Sequence, residues 1–280
     1  MSDSVDEAFV QQYAKEVHEA FQRRGSLLIP TVRVRGDVEG ATITFQKVGK
    51  GTATTKACHG VITPMNQDHT PVECTLADYF AGDWVDKFDE AKTAHGEREV
   101  IVNAGAWALG RKADELILDA VGGTGGEVGD HSGAVTRALL LAAVEALDAA
   151  DVPDDGDRWG RLTPRQWSAA LTIAEFASGD YVGKADTPFA QTKAVRAWLG
   201  VKWLKHTGLP GKGTATAKGF VYHRAAAGFA RTGEMKVDVS WHGDRASWFV
   251  NHALCGGACL IDSEGVVALK TDDTAAIPAS

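Results

Sequence analysis

Residues 237–269 read VDVSWHGDRASWFVNHALCGGACLIDSEGVVAL. Two apolar runs meet across Gly243-Asp244, and a third run follows the turn Asp262-Ser263-Glu264-Gly265. Short runs rich in β-branched and aromatic residues, bounded by Gly and Asp, are the pattern of strands. Periodicity alone also permits a helix over Arg245–Leu254, and at this level both readings stand. A tail of this kind builds sheet and presents no reacting group.

Working back from that tail, Gly219 to Ala230 returns the chain towards its first body after the turn Gly208-Leu209-Pro210-Gly211. Thr192 to Lys205 reads as a short helix followed by a strand, Trp198–Leu204. Thr163-Pro164-Arg165-Gln166 has the capping-box pattern with Pro in the first turn, and opens a helix carrying Trp167, Leu171 and Phe176. Ala134 to Ala150 is a second helix. Gly122 to Gly133 (GGTGGEVGDHSG) is a glycine-rich connector and marks a domain boundary. Glu97 to Val121 is the longest periodic segment. Ile101, Ala104, Gly105, Ala108, Leu109, Ala113, Leu116, Ile117 and Ala120 form one stripe, and at about 1.5 Å per residue the helix spans roughly 37 Å. Thr75 to Lys92 reads as one or two short helices with Leu76, Tyr79, Phe80, Trp84, Val85 and Phe88 on the apolar side. Glu7 to Arg24 reads as an amphipathic helix stopped by Gly25.

Leu27 to about Val72 has a different character. Val32-Arg33-Val34-Arg35 alternates, Ala41 to Val48 runs extended, and Gly49-Lys50-Gly51-Thr52-Ala53-Thr54-Thr55-Lys56 is polar with few anchors for a core. A long two-stranded ribbon is marginal alone and needs a partner surface.

The chain has 280 residues, 44% of them hydrophobic and 24% charged, ordinary for a globular protein. No apolar run approaches the roughly 20 residues that cross a bilayer, so no membrane partner is expected. The acidic start MSDSVDEAF is not a secretory signal, and folding in a cytoplasm is expected. Cys58, Cys74, Cys255 and Cys259 match no common zinc spacing and are read as thiols packed as small apolar side chains. A net charge of −8 argues against tight wrapping of nucleic acid, though not against enclosing it.

Each chemical motif weakens on inspection. The hexapeptide GKGTAT occurs at Gly49–Thr54 and at Gly211–Thr216, yet a P-loop would need glycine at Thr44 and at His206. Gly123-x-Gly125 has Val128 where a dinucleotide fingerprint needs its third glycine, and it follows a helix instead of a strand. His242, Asp244 and His252 form the densest polar constellation. A hydrolase built on them is the distant alternative, with a capped turn and packed strand the plainer reading. The acidic run Asp151–Asp157 lacks EF-hand alternation. No cofactor, metal or catalytic residue is expected.

The segments ADYFAGDWVDKFDEAKT, EREVIVNAGAWALGRKADELILDAV, RWGRLTPRQWSAALT and VSWHGDRASWFVNHALCGGACLIDSEGVV resemble those of tailed-bacteriophage major capsid proteins, in order and over about Gln12 to Leu269. The resemblance implies an α+β chain of the Hong Kong 97-like fold. Its parts would be an N-terminal arm (1–26), an extended β-hairpin loop (27–72), a peripheral domain (73–131 and 236–280, spine helix 97–121) and an inserted axial domain (132–235). It implies a non-enzymatic subunit that self-assembles as pentamers and hexamers into an icosahedral head. That head would enclose double-stranded DNA without sequence-specific binding and be assembled in the bacterial host cytoplasm. A separate scaffolding protein is expected because the chain starts almost at the arm, with a portal and a decoration protein as further candidate partners. Arg33, Arg35, Lys47, Lys50 and Lys56 are the candidates for ion pairs between subunits. The shell of a cellular nanocompartment with the same fold is the nearer alternative.

Overall fold

The structure, a computed structural model, describes residues 25–36, 38–87, 97–177, 195–233 and 236–277. The expected helix Glu7–Arg24 and the end of the expected Thr75–Lys92 helices lie outside them. In chain order the regular elements begin with strands β1 (Arg33–Arg35), β2 (Thr42–Val48), β3 (His69–Thr75) and β4 (Ala77–Asp86). Helix α1 (Glu97–Gly122), strand β5 (Glu127–Val128) and helix α2 (Arg137–Ala149) follow. Then come β6 (Arg158–Leu162), α3 (Pro164–Ala170) and α4 (Ala174–Ala177). The chain continues with β7 (Val195–Trp198), β8 (Val201–Lys205), β9 (Ala217–His223) and β10 (Ala227–Arg231). It ends with β11 (Lys236–His242), β12 (Ser247–Leu260) and β13 (Val266–Thr271).

The stretch 237–269 is built mainly of sheet strands. β12 is the longest strand, and it pairs antiparallel along its first ten residues with β4, from Ser247↔Asp86 to Gly256↔Ala77. On its other flank it pairs with β11 from Ser247 to Ala253 and with β10 from Gly256 to Leu260. β1 joins β10 in parallel. The Arg245–Leu254 ambiguity is therefore decided by neighbours: β12 sits between strands that satisfy its backbone on both flanks.

The same pairing overturns the helical reading of Thr75 onwards, since β4 is a strand. Its aromatic and β-branched side chains serve a ladder as readily as a helix face, and a ten-residue partner strand settles which. The stretch 195–205 is likewise corrected: it is a hairpin, β7 to β8, turning at Leu199 (φ 52°) and Gly200 (φ 72°). Two successive left-handed residues are what a tight primed hairpin turn requires.

The second sheet has the order β5-β13-β9-β6-β8-β7. The tail thus serves two sheets. β11 and β12 extend the first, whereas β13 pairs with β9 and β5 in the second. Within 27–72 the chain has two settings. Leu28 and Val32 are buried in the main core, β1 is a sheet strand, and the ribbon proper is β2 paired with β3.

Helix α1 lies along the first sheet and shares one core with both. Leu109, Ala113, Ile117 and Val121 pack with Leu28, Phe220, Phe229, Leu254 and Val266. The helix approaches closely because its stripe is small: a Cβ on Gly105 would lie 2.4 Å from Nδ1 of His252. A second core beneath α2 and α3 gathers Leu140, Leu147, Leu162, Phe176, Trp203 and Leu269. The capping box at α3 forms as expected. The Gln166 amide donates to Thr163 Oγ1 at 3.1 Å, and the Thr163 amide donates to Gln166 Oε1 at 2.9 Å.

Candidate functional site

Among the described residues, the β2–β3 ribbon carries the most exposed large apolar side chains. Its root is a small core of its own: Phe45 is fully buried among Val38, Cys74, Leu76, Ala230 and Ile261. Alternation puts Phe45 and Ile43 on the inner face while Thr42, Thr44 and Gln46 look outward. Residues 49–68 connect the two strands without helix or strand and are exposed almost throughout. Val61 is 92% exposed and Ile62 70%, an arrangement that leaves apolar surface in water.

Two of the five candidate cations have partners within the same chain. Lys47 Nζ donates to Asp262 Oδ1 at 2.8 Å. Lys50 Nζ reaches Asp151 Oδ2 at 3.0 Å, the Ala150 carbonyl at 3.1 Å and Glu264 Oε2 at 3.8 Å. The Asp151 hydrogen bond holds the Lys50 ammonium above its ordinary pKa, so it stays charged. These contacts moor the ribbon to the loop after α2 and to the Asp262–Gly265 turn. Arg33 lies over the Phe45 ring, 5.8 Å from its centroid. Arg35 and Lys56 are exposed. The structure therefore splits the set: Lys47 and Lys50 pair with acidic groups of their own chain, and Arg33, Arg35 and Lys56 are exposed.

The histidine constellation does not assemble. His252 pairs across the sheet with Val237, and His242 stands five positions further along β11, opposite Ser247. Five steps of about 3.4 Å separate them by roughly 17 Å, and the odd count places them on opposite faces. His252 is buried against α1, with Nδ1 3.3 Å from the Ala81 carbonyl. His242 Nε2 contacts Ser240 Oγ at 3.2 Å and its ring packs edge-on to Trp84. Among the described residues, no group of three His, Cys, Asp or Glu side chains is placed to hold a metal ion. The acidic loop is likewise spoken for, with Asp151 on Lys50 and Asp155 on His223. Neither GKGTAT copy opens a helix: one begins the ribbon's distal loop, and the other is a turn whose Gly213 amide donates to Asp273 at 3.0 Å.

One organising residue escaped the sequence reading. Asp114 on α1 is fully buried and accepts hydrogen bonds from Ser26 Oγ (2.5 Å), the Leu28 amide (3.0 Å) and the Leu27 amide (3.1 Å). His206 Nε2 stands 3.1 Å from its second oxygen. Burial by itself would raise the carboxyl pKa. The bonds from His206, Ser26 and the two amides outweigh it and hold the pKa below its ordinary value. The Gly208 amide donates to His206 Nδ1, so Nε2 carries the proton that faces Asp114. This carboxylate clamps the chain entering β1, the spine helix and the end of β8 at one point. The signal was a charge on the buried side of an apolar stripe, three residues before Ile117.

Comparison with known proteins bears on what the ribbon is for. A family model described as phage capsid protein matches residues 5–273. No curated protein sequence matches the chain. Among solved structures, the capsid of cyanophage P-SCSP1u is similar with a TM-score of 0.76 at 15% identity, over 95% of this chain and 94% of that one. A structure of Mycobacterium phage Che8 gives 0.67 at 19% identity, over 94% and 97%. The capsid of the native GTA particle gives 0.70 at 14%, over 95% and 96%. At such identities the likeness is one of fold: the mixed helix-and-sheet architecture is that of phage capsids.

Proposed function

This chain belongs to the phage capsid protein family, and from that premise we propose that the β2–β3 ribbon drives its assembly by burying its distal loop on a neighbouring copy. The protein is a major capsid protein, a structural subunit of the multi-subunit shell that forms a phage head, and its place is the virion. The observation that carries the ribbon's role is the exposure of Val61 and Ile62 beyond a root that packs on, and is ion-paired to, its own body. A second copy offers the surface that the chain's own body does not, and repetition of one such contact closes a shell.

In this reading the subunits associate as pentamers and hexamers in an icosahedral head around double-stranded DNA, within the bacterial cytoplasm. The net charge of −8 suits a lining that holds nucleic acid without adhering to it. A separate scaffolding protein, a portal and a decoration protein would complete the particle. The outward-facing Arg33, Arg35 and Lys56 are the remaining candidates for pairing with acidic patches of neighbours.

Replacing residues 52–66 by a short Gly/Ser linker tests the ribbon's role. Folded subunits that no longer form shells, seen by negative-stain electron microscopy beside an unchanged circular dichroism spectrum, are the expected result. Shells of normal size and yield would end the proposal.

A further inference from the structure

All four cysteines are free thiols, and two of them meet at the ribbon's root. Cys74, near the end of β3, is buried in the core around Phe45, and Cys259 of β12 packs against the same cluster. Their juxtaposition follows from register. β4 and β12 pair Cys255 with Asp78 and Gly256 with Ala77. Each step forward along β12 is a step back along the chain that precedes β4; the paired residues end at Gly256↔Ala77, and three more steps in that register would bring Cys259 opposite Cys74. The backbones stay in touch over that interval, since a Cβ on Gly257 would lie 2.0 Å from the Thr75 carbonyl oxygen. Both thiols border the Phe45 core, and each perturbs the titration of the other. Directly opposed residues of antiparallel strands have Cα atoms about 4.5–5.5 Å apart, inside the range that a disulfide spans.

We propose that Cys74 and Cys259 form a latent disulfide site, closed by a peroxide-class oxidant, that staples the ribbon's root to the long central strand of the first sheet. Contact with Cys259 lowers the pKa of Cys74 and the same contact raises that of Cys259, so Cys74 is the first to ionise. Its thiolate attacks one peroxide oxygen, the O–O bond breaks, and a sulfenic acid forms as hydroxide leaves and takes up a proton to become water. The Cys259 sulfur then attacks the sulfenic sulfur, the S–O bond breaks, and the Cys259 proton leaves with the hydroxyl as a second water. Two thiols are oxidised to one disulfide and one peroxide is reduced to two waters. Cys255 stays out of this exchange. It faces Asp78, whose carboxylate accepts its hydrogen bond and raises its pKa.

The bond would fix the pivot about which the ribbon leaves the body while leaving the exposed distal loop unchanged. The test uses the assembled full-length protein carrying Cys58→Ser, which removes the exposed thiol. After peroxide treatment, quenching, denaturation and alkylation, digestion without reductant should yield one peptide pair joining Cys74 to Cys259. That pair should lack two hydrogens and separate on reduction, with Cys255 alkylated. Two of the three remaining thiols per chain should disappear from the titre. Cys74→Ser or Cys259→Ser should each abolish the linked pair. Finding both residues alkylated at a peroxide dose that oxidises Cys58 in the parent protein would overturn the proposal, as would linkage to Cys255.

Discussion

Asp114 shows how one side chain can hold three segments in place. Asp114→Ala leaves the amides of Leu27 and Leu28, the Ser26 hydroxyl and His206 without their shared acceptor inside a dry core. Losing a buried charged acceptor with several donors costs about 3 kcal/mol or more. Denaturant unfolding of the variant should report a loss of that size. The pH dependence has a definite sign. Because the folded carboxyl pKa is depressed, its contribution is present above the unfolded value, about 3.9, and is lost as pH falls through the folded one. Stability of the native chain should therefore drop below roughly pH 4, and Asp114→Ala should flatten that part of the profile. A variant with the same acid limb as wild type would contradict the assignment. Gly105 gives a second residue-scale prediction. Alanine gains about 1 kcal/mol of helix propensity, but its Cβ would meet the His252 ring at 2.4 Å. Overpacking of this kind costs about 1–3 kcal/mol, so Gly105→Ala should be net destabilising in thermal unfolding. The stripe around Gly105 was readable from the sequence. The partner that makes the glycine necessary sits 147 positions away in number, on a strand whose register the sequence does not state.

Among elements, the ribbon divides into a root and a free end with different energetics. Phe45→Ala empties a fully buried site, and such truncations cost about 3–5 kcal/mol. Hydrogen exchange should register this as faster exchange across β2 and β3, with α2 and β6 unaffected. Lys47→Ala removes a half-exposed ion pair worth under about 1 kcal/mol, so subunit stability should barely move. Any effect on particle yield would then report the ribbon's angle. The amphipathic elements with strong local signals, α1 and the Thr163 box, were legible in sequence. β4 was not, because Tyr79, Phe80, Trp84 and Val85 satisfy a helical face and a ladder edge alike. β12 decides between them by offering ten residues of backbone partners.

For the whole molecule, the subunit carries eight excess negative charges, and like subunits repel over a distance set by salt. Raising ionic strength from about 0.01 M to about 0.15 M shortens the screening length from about 30 Å to about 8 Å. Light scattering should then show faster shell formation if apolar burial of the ribbon dominates. Slower formation would instead favour ion pairs of Arg33, Arg35 and Lys56 as the main glue.

The sequence by itself determined the helix spine, the sheet-building tail and the barely anchored distal part of the ribbon, because each is a matter of local spacing or composition. Only the tertiary structure decided that the tail feeds two sheets, that Lys47 and Lys50 face their own chain, and that Asp114 and the Cys74–Cys259 pair lie at junctions. Those facts depend on strand register and on which distant backbones meet. Contacts between residues far apart in the chain are fixed by packing and hydrogen-bond satisfaction over the whole fold, and no window along the chain encodes them alone.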